Sequence, residues 1–474
     1  MKKKTWIWMA AAAVVACAGA YWGYRTWAAD DYVHALPARP KVLMAVDWAQ
    51  VAEGAGIGMD GLASLAPGGM EIPEGIDWTK TSYAFVSGKE YVGLLAAVSD
   101  ETRLAEWFRK AAGKGLCKDV EERNGRHWTV WDNSWMVGFD DRALLVMGPG
   151  VPSAMDVLRQ EITADLRQDK EKSGMASALF ADVEQAGGGC VFAARLDALP
   201  DIYGNELAFG WPEHANLSDV NVVAGMCFLE NGLTVDAEIR SKNSEINKYY
   251  EQLALLGGEI SGEYASYVPE KALGWLCMDI DGEQLLEQLR KNPLVRTYLM
   301  GLNMGVDADL MIRSVDGDVA ITLVPRDALE NGMLLTAHLG KKDFLEEAPY
   351  WKESAAKSGA LEFRDFGNNR FFMGTGSLRA YFGVAGETLY VTPDEELARQ
   401  VCARKTSTLD EWEDEIEGSR FFLWCNLEQL RHLDEWPQRL DLFSDLVLRS
   451  SDARHFTVDL RGAKGQKVWK TLLE

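Results

Sequence analysis

The chain has 474 residues, 47% of them hydrophobic, enough for two ordinary domains with buried cores. Its 49 basic against 72 acidic residues leave a net charge of −23, which repels phosphate backbones and excludes nucleic acid as a natural partner. The same balance opposes flat docking on anionic lipid heads, and its ordinary role is solubility.

Lys2, Lys3 and Lys4 precede an uncharged run from Thr5 to Tyr24, which Arg25 closes. Twenty helical residues reach about 30 Å, one hydrocarbon thickness. Three lysines against one arginine keep the N-terminus cytoplasmic and send the body across. Three endings are open. The segment stays as an uncleaved membrane helix, it is cut near Ala18-Gly19-Ala20, or Val14-Val15-Ala16-Cys17 acts as a lipobox and Cys17 is the acylation site. The apolar Ala18-Gly19-Ala20-Tyr21-Trp22 after Cys17 departs from a lipoprotein, which turns polar there. Each ending treats residues 1–29 as a signal or anchor outside the fold. Each also places the body in the cell envelope, outside the cytoplasm. Removing the four cations of that segment leaves −27 on residues 30–474.

Five blocks then recur in the same order. Leu36 to Asp47 matches Val268 to Asp279, each with a proline, a strand-like run and an aspartate ten residues after the proline. Leu94-Leu95-Ala96-Ala97 matches Leu334-Leu335-Thr336-Ala337, and Arg126-His127-Trp128 matches Arg370-Phe371-Phe372. Proline-started helices follow at Pro152 and Pro393. Cys190 to Leu196 matches Arg420 to Cys425, and Leu233-Thr234-Val235-Asp236 matches Phe456-Thr457-Val458-Asp459. This order predicts two diverged copies of one module, at 32–258 and 264–474, with Leu256 to Gly262 as a hinge. Strand signals at Tyr83-Ala84-Phe85-Val86, Trp128-Thr129-Val130-Trp131 and Ala143 to Met147 come in adjacent runs. Turns are expected at Asp140-Asp141, Asn231-Gly232 and Asp316-Gly317-Asp318. Helical stripes lie at Ala154 to Leu158 and Gly282 to Leu289. The class is therefore α+β, each copy a mostly antiparallel sheet with helices packed on one face.

The repeat-opening segments, Leu36 to Val51 and Val268 to Leu289, following soon after a bacterial anchor, resemble the family of unknown function numbered 4836. The resemblance implies a cell-envelope protein of Gram-negative bacteria, usually a lipoprotein. It brings no established activity and no catalytic residues.

The motifs that could carry chemistry have plain structural readings. Asp47 and Asp279, at the same repeat position, are expected to cap helices; as a functional pair they would be acid–base carboxylates. Asp236 and Asp459 are expected to face solvent. The glycine run Gly54 to Gly61 lacks the G-K-[ST] ending of a phosphate loop and reads as a flexible loop. Asp279-Ile280-Asp281-Gly282 is not followed by an EF-hand ligand series. His34, His127, His214, His338, His432 and His455 are scattered, without metal-ligand spacing. Cys117, Cys190, Cys227, Cys277, Cys402 and Cys425 form no C-x-x-C pair, and buried free thiols are the expected state. Trp128, Trp131, Trp135 and Trp211 suit sheet packing, or stacking on a ligand. The stretch Asp410 to Glu415 reads as a solvated acidic face.

These readings predict no catalytic residues, no metal and no cofactor. The function expected is a tethered extracytoplasmic binding or scaffold module that takes a protein, peptide or glycan in a groove between the copies, with the membrane met through residues 1–29. The alternative is a hydrolase with carboxylates of the two copies facing each other. Oligomeric state is left open.

Overall fold

In the short strand β1 (Val42–Val46), Leu43 and Ala45 point inward while Val42, Met44 and Val46 are half-buried, the alternation expected of a sheet with one covered face. The computed structural model describes residues 31–59, 61, 72–199, 216–303, 306–325, 331–358, 362–374, 379–401, 405–431 and 438–473. The anchor with Cys17 lies outside these residues, as do Cys402, Trp211, His214 and His432. No helix among the described residues is long and apolar enough to cross a membrane. The chain divides into two compact units. The first holds the described residues up to 199 with Leu217–Phe228; the second holds those from 229 to 472.

In the first unit β1 is followed by α1 (Trp48–Ala55), β2 (Ser82–Val86), β3 (Val92–Ala97), α2 (Glu101–Gly113), β4 (Glu121–Arg123), β5 (Arg126–Trp131), β6 (Trp135–Phe139) and β7 (Ala143–Gly148). Helices α3 (Met155–Asp165) and α4 (Ala178–Gln185) come next, then β8 (Cys190–Arg195) and β9 (Val220–Leu229). All pairings are antiparallel, in the order β4-β5-β6-β7-β3-β2-β1-β8-β9. Leu158 and Ile162 of α3 and Leu179 and Val183 of α4 bury Leu43, Phe85, Leu95 and Met136 on one face. The expectation of helices on one face alone is corrected at β6 and β7. Leu104, Trp107 and Phe108 of α2 cover the opposite face through Val137, Phe139 and Leu144. The continuous apolar runs of β6 and β7, rather than alternation, are the sequence correlate of two covered faces. Trp128 is buried, and Trp131 stacks on Trp107 at 5.9 Å, so these tryptophans serve the core.

The second unit runs β10 (Gly232–Ser241), α5 (Ser244–Leu253), β11 (Gly274–Asp281), α6 (Gly282–Lys291), α7 (Pro293–Leu302) and α8 (Ala308–Arg313). Then come β12 (Val315–Pro325), β13 (Asn331–Leu339), α9 (Ala348–Ser358), β14 (Glu362–Gly367), β15 (Arg370–Gly374), β16 (Arg379–Ala385), β17 (Thr388–Thr392) and α10 (Glu395–Gln400). Then follow β18 (Phe421–Asn426), α11 (Leu427–Leu430), β19 (Asp445–Ser450) and β20 (His455–Arg461), before a short last helix at Val468–Leu473. The antiparallel order is β14-β15-β16-β17-β13-β12-β11-β18-β19-β20-β10. Trp275, Phe422 and Trp412 fill one face, and Trp351 of α9 packs with Phe371 and Phe382 on the other.

Two local expectations change. Asp316-Gly317-Asp318 is not a turn but part of β12, paired with Asp279, Ile280 and Asp281 next to an irregularity in the β12–β13 register. Leu256 to Gly262 is not a hinge between copies but is held within the second unit. Its Leu256 carbonyl accepts from Asp281 N–H, Ile260 N–H donates to Ser419, and Arg420 Nη1 donates to the Gly257 carbonyl at 3.0 Å. Gly257 is there for close approach, since a Cβ would sit 1.8 Å from the Asp279 carbonyl oxygen. Asp318, only 2% exposed, fixes the same segment by accepting from Ser261 N–H, Ser261 Oγ–H and Gly262 N–H, each at 2.9 Å.

Asp318→Ala strands those donors, and the expected loss of unfolding free energy is about 2–4 kcal/mol in urea titration. Asp281→Ala, which removes only the cap of α6, should cost about 1 kcal/mol in the same assay.

Candidate functional site

Strands leave the sheet through capped turns. Asp47 accepts from Gln50 N–H at 3.0 Å and caps α1. Asp279 is not the corresponding cap, which corrects that expectation: Asp281 accepts from Glu283 and Gln284 N–H, both at 3.0 Å. Asp279 accepts from Gly258 N–H instead. Both carboxylates of the suggested acid–base pair are thus engaged by backbone donors. Gly56, with φ +66°, ends α1, so the glycine run follows a helix, whereas a phosphate loop follows a strand.

The caps set a common frame for the two sheets. Leu43 lies four residues before Asp47, and its row across the first sheet reads Ala193, Leu43, Phe85, Gly93. Cys277 lies four residues before Asp281, and its row reads Phe422, Cys277, Ala320, Thr336. In the first unit the bulk sits on β2: Phe85 lies flat over Gly93, where a Cβ would meet its ring at 2.2 Å. In the second the bulk moves to β18, and the β12–β13 end carries only alanine and threonine.

That end of the row adjoins an open groove of about 840 Å³. Thr322 and Val324 of β12 and Leu334 and Thr336 of β13 form its floor. One wall is the segment from Tyr264 to Lys271, pinned where Thr406 and Thr408 hydroxyls donate to the Val268 carbonyl at 2.5 and 2.8 Å. The other wall is Leu397 of α10 with Val401. Asp394 fixes α10 by accepting from Glu396 and Leu397 N–H. Glu270, Lys271 and Lys405 also line the groove. Thr322 and Thr336 are each 7% exposed as residues, and both line the open groove. A hydroxyl on the floor of an open groove can donate and accept hydrogen bonds with water or a ligand, so the floor offers hydrogen-bonding groups between apolar walls.

A shallower cleft of about 440 Å³ in the first unit gathers His34, Arg126, Arg142, Arg167 and Lys170 with Asp31 and Asp169. Arg126 is 3.4 Å from Asp140 and Arg142 is 2.9 Å from Asp31, so carboxylates already occupy these two cations.

Other singled-out residues have structural partners. Asp459 is not solvent-facing, as expected, but 2% exposed. It accepts from Thr234 Oγ at 2.7 Å and lies 3.6 Å from Arg449. Asp236 is exposed and accepts from Thr457. The acidic stretch is only partly a solvated face: Trp412 is buried under Arg461, 3.9 Å from its ring centroid, and Glu415 lies 3.6 Å from Arg461. His338 meets Glu263 at 2.9 Å and His455 meets Asp452 at 2.6 Å. Cys117, Cys190, Cys227, Cys277 and Cys425 are free thiols, with Cys190 and Cys277 buried.

The sequence did not single out the groove. The signal was Ala320 and Thr336 in a row where the first unit has Phe85 and Gly93, a difference visible only once the strand register is known.

One carboxyl is strongly perturbed. Asp165, at the end of α3, is pushed up to about 7 by burial and by the neighbouring Glu161, which Lys89 partly offsets. Its folded value lies above its unfolded one. The associated stability is therefore full below about pH 4 and is lost as pH rises through about 7. Asp165→Asn removes that loss. The variant should gain on the order of 1 kcal/mol, or a few degrees in Tm, over the natural protein at pH 8, and clearly less at pH 5.

A family model described as "Domain of unknown function (DUF4836)" matches residues 71–433. No curated protein matches the chain by sequence. Two solved structures are similar to part of it. Crystal form IV of TP0453 has a TM-score of 0.28 and 8% identity, covering 44% of this chain and 80% of that one. Crystal form III of TP0453 has a TM-score of 0.22 and 9% identity, covering 79% and 98%. Likenesses this slight carry neither fold nor function across.

Proposed function

Starting from a chain that belongs to the DUF4836 family, a family of unknown function, we propose a non-enzymatic binding module of the cell envelope, tethered through residues 1–29. Its ligand is a segment of peptide or glycan held in the groove over β12 and β13. Both kinds of chain present hydrogen-bonding groups at regular intervals, which suits a floor of hydroxyls between apolar walls. The observation that carries the reading is the groove itself, with Thr322 and Thr336 beside Val324 and Leu334 on its floor.

The module is proposed to be present twice. The strand orders support this, because the order of β1 to β9 recurs as the order of β11 to β19. In this reading one copy keeps its row closed with Phe85 and the other opens it. Binding is then a property acquired by the second copy after duplication. The proposal also sends both copies across the membrane behind the N-terminal run, with Cys17 as the acylation site if the lipobox is used.

The hydrolase alternative has less to stand on, since Asp47 and Asp279 are committed to backbone donors.

The test is a filled groove. Thr322→Phe projects a ring into the open space and should leave Tm within a few degrees. Random peptides on phage and an array of bacterial glycan oligomers are screened against the full chain and against the variant. Ligands that bind the natural protein and lose at least tenfold affinity for Thr322→Phe support the reading, and the class recovered identifies the ligand. No such ligand from either library, or ligands indifferent to the substitution, overturns it.

A further inference from the structure

Helix α7 is unusual for a helix at the surface of so acidic a chain. Leu294 is 82% exposed, Tyr298 66% and Met300 65%. Of its ten residues only Leu299 is buried. At about 100° per residue, Met300, Pro293, Thr297, Gly301, Leu294 and Tyr298 share one continuous arc of about 160°. An apolar arc of that width, left uncovered, marks a contact surface.

The charge around it says what covers it. From Gln288 to Val306 the sequence contains Arg290, Lys291 and Arg296 and no acidic residue, in a chain with 72 aspartates and glutamates. Arg290 is paired with Asp309, while Arg296 is exposed on the edge of the apolar arc and Lys291, the exposed last residue of α6, directly precedes the Asn292 cap. Basic residues flanking an apolar arc are the pattern of a helix lying in a lipid interface, with its side chains at the headgroup boundary and its cations among anionic heads. The acidity of the rest of the body does not prevent this, because charges beyond about 8–10 Å are largely screened at physiological ionic strength.

We infer that α7 docks on the surface of a membrane containing anionic phospholipid, with Leu294, Tyr298 and Met300 as the inserting side chains. The inference rests on the envelope-tethered reading and adds to it a second, reversible contact between body and bilayer.

The experiment measures amide hydrogen exchange of 293–302 in the full chain, reconstituted with vesicles of phosphatidylcholine alone or with phosphatidylglycerol at three parts in ten. Flotation of the same samples reports the tether separately. The expected result is exchange at least fivefold slower in the phosphatidylglycerol vesicles, reversed by Leu294→Gln with Tyr298→Gln, and weakened by Arg296→Glu. Equal exchange in both vesicles with full flotation overturns the docking and leaves the tether. Absence of flotation from both vesicles overturns the tether, and the helix is still decided by whether added phosphatidylglycerol vesicles slow its amides. Slowing that follows protein concentration instead of lipid composition assigns the face to a second copy and also overturns the inference.

Discussion

A carboxylate or amide at the end of a strand, accepting from the first backbone N–H groups of a helix, is the constraint on which the architecture depends. Asp47 ends β1, Asp281 ends β11, and Asn426 ends β18 in this way, while Asp100 and Asp394 start the helices after β3 and β17. Each turn takes the chain off a sheet edge at a fixed point and satisfies donors that would otherwise be orphaned. Strand register follows, because the side-chain period is two: moving the exit by one residue would turn Leu43 or Cys277 to the wrong face. The caps therefore decide which side chains form each row, and the rows decide whether the face beside β12 and β13 is filled or open.

The open groove is a consequence of where bulk is placed, and needs no change of topology. Phe85 in one unit and Phe422 in the other do similar work in burying apolar surface, but from opposite sides of the central strand. A fully buried phenylalanine contributes about 1.5–3 kcal/mol, so a sheet needs one in the row but is indifferent to which strand supplies it. Moving it to β18 leaves the small Ala320 in the row and Thr336 beside a space bounded by the wall from Tyr264 to Lys271. The two threonines on its floor then offer hydroxyls to water or a ligand.

Much of the scaffold was legible because it is written in local chemistry. Alternation gave β2, unbroken apolar runs gave β7, and the aspartate after β1 gave its cap. The family resemblance rested on the repeat-opening segments, Leu36 to Val51 and Val268 to Leu289. What was not legible depended on register. Asp279 and Asp281 are two residues apart, both at the end of an apolar run, and only backbone geometry decides which one faces the helix N-terminus. Asp316-Gly317-Asp318 has turn composition, yet Asp318 is drawn into β12 by three donors from Ser261 and Gly262. Gly257 reads as flexibility and is instead a place where backbones touch. The groove was least legible of all, since alanine and threonine are unremarkable until the row shows what they replace.

The repeated Leu-Thr-Val-Asp and Phe-Thr-Val-Asp segments show why recurrence in sequence does not mean equivalence in environment. They are β10 and β20, paired antiparallel with Val235 opposite Val458, so each threonine meets the other's aspartate. The two contacts are chemically the same, at 2.7 Å for Thr234 with Asp459 and 2.8 Å for Thr457 with Asp236. Yet Asp459 is buried beside Arg449, while Asp236 faces solvent. A local two-fold relation in the motif fixes the hydrogen bonds, and the neighbouring elements alone fix the burial. The same separation applies to the two rows across the sheets. Backbone pairing is retained wherever the caps hold it, and divergence is free to act on volume and polarity, which is where a binding surface can arise.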